Sequence, residues 1–190
     1  MRIKRRLGFK NGVCVDARGR SGGLAMFWME DVKVTLRKMG DRVIDVMVKG
    51  ESNFTWRLTG MYGWSEGTNK YKTWELMKEL GEQNSLPWVI MGDFNEILFE
   101  SEKKGGNPCD FAAIQLFLNA SNKRSGDDFI EERLDRVLAN GEWRVEFSRA
   151  HVTNMIWDCS DHTPIVLKLK GENRQPLHTT QSRVFRFEAK

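Results

Sequence analysis

The chain has 190 residues, 40% of them hydrophobic, and its seven Trp and eleven Phe supply enough apolar material for the core of one domain. Lys and Arg number 30 against 26 Asp and Glu, and this net charge of +4 is compatible with a polyanionic partner but too small to identify one. The three Cys argue against a disulfide framework or a Cys-based zinc site, and no apolar run approaches the roughly 20 residues that span a bilayer. We therefore expect an intracellular protein without a membrane segment or signal peptide.

Strands dominate the first part of the chain. An apolar run predicts a buried strand at Leu24–Trp28, and the alternation of Val32–Leu36 predicts that this second segment pairs with it. Val43–Val48 and Phe54–Tyr62 follow as two further strands joined by a glycine turn. Four strands in succession predict an antiparallel sheet.

An amphipathic helix comes next, and Gly81 is its predicted end. Its apolar positions recur at helical spacing and are Tyr71, Trp74, Met77 and Leu80.

A second apolar run, Pro87–Met91, ends at two polar side chains two residues apart, Asp93 and Asn95. Because strand side chains alternate, both project to the same face, and Phe94 between them turns back toward the core. Gly92 allows another group to approach the backbone there. A rigid strand that ends in an acid and an amide suits a catalytic site, and an Asx turn that ends an ordinary strand fits these residues equally well.

The second half of the chain is less regular. A charged, glycine-rich loop at Glu100–Asn107 precedes a helix that Asp110 can cap, and Asn119–Asp128 is a polar loop. The apolar positions of Phe129–Ala139 fit a helix and also fit one face of a strand.

The last part predicts a short helix anchored by Trp143 and Phe147 and a final strand at Ile165–Leu169. From Gly171 the chain is polar and basic, which predicts a linker or tail at 171–190 after a domain at 1–170.

Two acids near strand ends, Asp93 and Asp161, offer the groups that metal-assisted phosphodiester hydrolysis requires. Carboxylate oxygens suit Mg²⁺, which keeps several of its waters. An acid can deprotonate a water, while the amide of Asn95 and the imidazolium of His162 can stabilise charge on a phosphoryl group. An acid beside a His is common by chance, so it is the pairing with the Asp93 segment that favours a site here.

Three motifs in chain order resemble the endonuclease/exonuclease/phosphatase superfamily, and the resemblance extends over most of the chain. They are Gly92-Asp93-Phe94-Asn95, Arg133-Leu134-Asp135-Arg136 and Ser160-Asp161-His162-Thr163-Pro164. Four further segments resemble the endonuclease region of plant non-LTR retroelements, whose polyproteins continue toward a reverse transcriptase: Gly19–Ala25, Arg57–Gly63, Asn95–Leu98 and Phe185–Glu188.

The resemblance implies an α/β fold, a four-layer α/β sandwich of two packed mixed sheets flanked by helices. It implies Mg²⁺ as cofactor, with Mn²⁺ as a substitute, and DNA or another nucleic acid as a weakly bound partner, with the nucleus as a plausible location. The sequence does not indicate an oligomeric state.

The resemblance also implies roles for individual residues. Asp93 would position or activate the attacking water, and Asn95 would hold that acid or the phosphate. Asp161 would bind the metal or act as an acid/base partner, and His162 would contact the scissile phosphate. Asp135 would orient His162, which favours a strand for its segment.

Tyr62 would place a phenol at the phosphate, although a buried aromatic with a satisfied hydroxyl is an equally open interpretation. Relatives begin with an Asn-bearing strand and a strand that ends in a metal-binding Glu, which have no counterpart here, and they have a longer segment in place of Asn119–Asp128. We therefore expect an incomplete fold, with activity lowered by orders of magnitude or lost. Glu96, Glu100 and Glu102 are conceivable replacement ligands, but solvated charge is the preferred interpretation for them.

Two other hypotheses follow from the same residues. A catalytically inactive chain of this fold could bind nucleic acid through Arg2–Arg6, Lys123 and Arg124. Alternatively, absent strands would leave open sheet edges, and the chain would not fold stably.

Overall fold

The computed structural model describes residues 4, 8–17, 23–50, 54–83, 85–96, 135–154, 164–169 and 184–189. In chain order the strands are β1 (Asn11–Val15), β2 (Leu24–Trp28), β3 (Lys33–Gly40), β4 (Val43–Lys49), β5 (Thr55–Tyr62), β6 (Trp88–Asp93), β7 (Asp135–Ala139), β8 (His151–Asn154), β9 (Ile165–Lys168) and β10 (Val184–Ala189). The helices are α1 (Tyr71–Glu82) and α2 (Gly141–Glu146), with a single 3₁₀ turn at Gly67–Asn69 before α1.

The ten strands of the described residues form two five-stranded sheets. The first sheet has the order β1-β2-β10-β9-β8 and is antiparallel at each pairing. The second has the order β3-β4-β5-β6-β7 and is mixed, because β5 and β6 run parallel and the other neighbours antiparallel. Helix α1 lies between β5 and β6 in the chain, which is the usual way to connect parallel neighbours.

The two sheets pack face to face over a shared apolar core. Met26 and Leu167 from the first sheet belong to the same buried cluster as Val46, Leu58 and Val89 from the second. The other face of the second sheet is covered by α1, whose buried residues Trp74, Met77 and Leu80 join Met61 and Ile90. This arrangement confirms the predicted α/β sandwich.

The predicted pairing of Val32–Leu36 with Leu24–Trp28 is wrong. Strand β3 pairs with β4, whereas β2 lies in the first sheet between β1 and β10. A turn closed by the Val32 N–H and the Met29 carbonyl, 3.2 Å apart, carries the chain from one sheet to the other. The antiparallel run is therefore three strands long, from β3 to β5, and not four.

Strands β1 and β10 were not expected from the sequence. Strand β1 pairs with β2 and is only half-buried, so its hydrophobic signal is weak. Strand β10 falls inside the segment 171–190 that was expected to be a tail, yet it lies between β2 and β9 in the first sheet. Phe185 and Phe187 alternate with Arg186 and Glu188 at the period of a strand, and the basic composition around them concealed that pattern.

The predicted helix is confirmed with two differences. Gly81 lies inside α1, which ends one residue later, and a Cβ at this position would lie 3.3 Å from the Trp88 ring. Gly81 therefore lets the helix approach β6 closely. Tyr71 is 49% exposed, so it does not belong to the apolar face of the helix.

The short helix near Trp143 is confirmed as α2. Asn140 caps it, because its Oδ1 accepts the Trp143 N–H at 3.1 Å and also the Trp88 N–H at 2.9 Å. The open choice for Phe129–Ala139 is decided in favour of a strand for the part that forms β7.

The loop at Glu100–Asn107, the helix after Asp110 and the loop at Asn119–Asp128 lie outside the described residues. Within the described part of the chain, no helix is long and apolar enough to cross a membrane.

Candidate active site

Three of the candidate residues occupy matching positions on three neighbouring strands. Tyr62, the last residue of β5, is paired with Asp93, the last residue of β6, and Asp93 is paired with Asp135, the first residue of β7. Because strand side chains alternate, Tyr62 and Asp93 share the face that carries Leu58 and Met91, which is the face packed against the first sheet. The candidate site therefore lies at one end of the sandwich, between the sheets.

Asp93 is fully buried and begins an Asx turn. Its Oδ1 accepts the backbone N–H of Asn95 at 2.8 Å, and Asn95 adopts a left-handed backbone with φ of +51°. Asn tolerates this conformation better than most residues. The Asx turn that the sequence left open is present, and it places a carboxylate that is held by a backbone donor at the end of a buried strand.

Gly63 joins the ends of β5 and β6. Its N–H donates to the Asp93 carbonyl at 2.6 Å, and its own carbonyl accepts Nδ2 of Asn95 at 3.0 Å and Nη1 of Arg42 at 2.9 Å. A Cβ at Gly63 would lie 2.1 Å from the Phe94 carbonyl oxygen, so a larger residue cannot be accommodated without a shift of the backbone. The side-chain amide of Asn95 thus binds Gly63, and it is the Asn95 backbone that contacts Asp93.

Tyr62 is 8% exposed, and its ring faces the Arg42 guanidinium, whose Cζ is 5.3 Å from the ring centroid. The Tyr62 N–H donates to the Arg42 carbonyl at 3.0 Å. Within the described part of the chain, the Tyr62 hydroxyl has no hydrogen-bond partner. The two interpretations of Tyr62, a phenol at the phosphate and a buried aromatic, therefore both stay open.

Glu96 differs from the expectation of solvated charge. Its side chain is 5% exposed, and its Oε1 accepts a hydrogen bond from Nζ of Lys70 at 3.1 Å. Nη2 of the buried Arg136 donates to the Glu96 backbone carbonyl at 3.2 Å. These contacts fix the segment that follows Asn95, and sequence reasoning missed them because the three residues are far apart in the chain.

Residues 5–162 match the model of the Endonuclease/Exonuclease/phosphatase family. The chain belongs to this family. No curated protein matches the sequence significantly.

The chain matches several solved structures at low sequence identity. The endonuclease domain of TRAS1, a telomere-specific non-LTR retrotransposon, is 11% identical with a TM-score of 0.57, over 94% of this chain and 79% of that one. The human Nocturnin catalytic domain with bound sulfate is 13% identical with a TM-score of 0.48, over 100% of this chain and 75% of that one. A Staphylococcus aureus beta toxin variant with bound magnesium ions is 12% identical with a TM-score of 0.36, over 79% of this chain and 58% of that one.

The carboxylate of Asp93 at the end of the sandwich has the oxygen chemistry that a hard divalent cation prefers. Mg²⁺ binds oxygen, and one or two carboxylates suffice because waters and substrate phosphates complete its shell. Asp93 supplies such a carboxylate, and Asp135 occupies the next register position. Among the described residues there is no cluster of three or more acidic, His or Cys side chains that could hold a metal. Asp161 and His162 lie outside the described residues, as does the side chain of Asp135.

Proposed function

We propose that this chain is a Mg²⁺-dependent phosphodiester hydrolase of the endonuclease type, of retroelement origin, with low activity. The observation that carries the proposal is the buried carboxylate of Asp93 at the end of β6, in register with Tyr62 and Asp135 on the adjacent strands. Polar groups that converge at strand ends in a water-poor edge of a rigid sheet are typical of catalytic sites. The motifs shared with plant non-LTR retroelements support the origin, and support a nucleic acid as substrate and the nucleus as location.

In this proposal Asp93 is the general base. A water oxygen attacks phosphorus, and one water proton passes to the Asp93 carboxylate. One P–O ester bond breaks, the leaving alkoxide takes a proton from solvent to become an alcohol, and a phosphate monoester remains. The hydrogen bond from the Asn95 N–H holds Oδ1 in place, so little reorganisation is needed during the reaction. The Tyr62 hydroxyl, which lies on the same face of the sheet, would donate to a phosphate oxygen.

The remaining roles rest on the resemblance. His162 would contact the scissile phosphate, Asp135 would orient His162, and Asp161 would hold Mg²⁺. When bound, Mg²⁺ would offset the negative charge of the phosphate, and Mn²⁺ would substitute for it. We propose low activity because the carboxylates described at this strand end are those of Asp93 and Glu96, and Glu96 is paired with Lys70.

A second candidate is a nucleic-acid-binding chain without catalysis. The net charge of +4 is compatible with it, and the half-buried Arg42 at the edge of the site supports it.

Incubation with supercoiled plasmid separates the two candidates. We expect slow conversion to nicked circles in Mg²⁺ and none when EDTA replaces Mg²⁺, because the reaction needs a divalent cation. The measurement is the fraction of nicked plasmid over time on agarose gels. Salt-dependent retention of DNA without nicking would favour the binding candidate, and nicking that persists in EDTA would contradict metal dependence.

A further inference from the structure

Arg42 is a charged residue at the edge of the candidate site for which the proposed reaction has no role. It lies in the turn between β3 and β4, and β4 begins opposite the end of β5, so this turn is at the same end of the sheet as Tyr62 and Asp93. Its side chain is half-buried. The location places a permanent positive charge beside the acidic strand end.

The Arg42 guanidinium is held from three directions. Nη1 donates to the Gly63 carbonyl at 2.9 Å, and Cζ lies 4.6 Å from the centroid of the Trp64 ring and 5.3 Å from that of the Tyr62 ring. Cation–π contacts and a hydrogen bond reduce the rotamer entropy that an arginine loses on binding a ligand. Arg42 is therefore preorganised.

The positive charge of Arg42 is available for an outside ligand. Arg37 and Arg57 form ion pairs with Asp45, whereas Arg42 forms no ion pair with any described residue. A guanidinium has five N–H donors, of which the bond to Gly63 uses one. The remaining donors match the geometry of a phosphate.

The position of Arg42 relative to Asn95 indicates which phosphate of a substrate Arg42 would bind. Nη1 of Arg42 and Nδ2 of Asn95 share the Gly63 carbonyl oxygen, and each lies no more than 3.0 Å from it, so they are at most twice that distance apart. Asp93 and Asn95, at the end of β6, would face the scissile phosphate. Arg42 lies next to them in the turn between β3 and β4. A polynucleotide carries a further phosphate on each side of the scissile one, and a small phosphoester does not.

We propose that Arg42 binds a backbone phosphate that flanks the scissile phosphate of a nucleic acid. This assignment rests on the proposed function for its substrate class. Its consequence is that the site favours a polymer over a small phosphodiester, and that Arg42 contributes to binding and not to the chemical step.

The test is the salt dependence of binding to a short, fluorescently labelled DNA duplex in EDTA, which prevents cleavage. Arg42→Gln is expected to reduce the slope of log affinity against log salt by about 0.9, the value for one phosphate contact on duplex DNA. Lys33→Gln is the matched control, because it removes one positive charge from the exposed, opposite end of the same sheet. Its slope should equal that of the parent chain.

Arg42→Lys keeps the positive charge. It is the variant to measure if thermal unfolding shows that Arg42→Gln does not fold. Its slope should stay at the parent value, and a reduced slope would mean that Arg42 acts only through the structure of the Gly63 turn and would overturn the assignment. An unchanged slope for folded Arg42→Gln, or no binding by the parent chain, would also overturn it. Plasmid nicking decides the proposed function separately, so nicking with unchanged slopes removes only the role of Arg42.

Discussion

Asp93→Asn is expected to lower the initial rate of Mg²⁺-dependent plasmid nicking by about 100-fold or more, the usual contribution of a general base. Asn has nearly the same shape as Asp and keeps an oxygen for the Asn95 N–H bond of 2.8 Å, so the turn at the strand end is retained. It cannot accept the proton of the attacking water. The measurement is the nicked fraction over time at equal protein concentration.

Glu75→Gln is the control for Asp93→Asn. Glu75 is exposed on α1, which packs on the face of the second sheet that is turned away from the site, so its loss removes one negative charge without touching the strand end. Its nicking rate should match that of the parent chain. A rate for Asp93→Asn that equals the control would contradict the role of Asp93.

Asp45→Ala is expected to destabilise the fold by about 3–5 kcal/mol, because it leaves a buried charge uncompensated. Asp45 and Arg57 are fully buried, and Asp45 Oδ1 accepts Nε of Arg57 at 2.8 Å and the Thr59 hydroxyl at 2.6 Å. Nη1 of Arg57 also donates to the Leu80 carbonyl of α1 at 2.5 Å. The loss would appear as a lower urea midpoint in circular dichroism.

Glu79→Gln is the matched control for Asp45→Ala, since it breaks the Lys38–Glu79 pair between the same sheet and helix. That pair is 2.8 Å long, but its side chains are 40% and 58% exposed, so we expect a loss below about 1 kcal/mol. A similar loss of unfolding free energy for both variants would show that burial does not determine how much the Asp45 network contributes to stability.

Periodicity predicted the positions of strands and helices in the chain. It was less successful at predicting which strands pair with each other. The run Leu24–Trp28 reads as a buried strand, and it is one, but nothing in its residues says that the turn after Met29 sends β3 to the other sheet. A strand pattern specifies which face is buried and not which neighbour binds the edge. Strand β10 was missed for a related reason, because the basic composition of 171–190 outweighed six residues of alternation.

The site was predictable where its groups are adjacent in sequence. Asp93 and Asn95 follow one strand, so the abrupt end of the apolar run reveals both of them. The bond between Arg42 and Gly63 and the ion pair between Lys70 and Glu96 span 21 and 26 residues. Such contacts depend on how separate elements meet, and a single sequence has no local signal for them.

Line broadening of backbone amide NMR signals by Mn²⁺ tests the location of the site most directly, because it requires no turnover. If the metal binds at the strand ends, the signals of Tyr62, Asp93 and Asn95 should broaden at the lowest Mn²⁺ concentration. Those of Lys49 and Thr55, which are paired at the opposite end of the same sheet, should remain sharp. Broadening that begins at Lys49 and Thr55, or that is uniform across the sheet, would contradict a metal-dependent active site at Asp93.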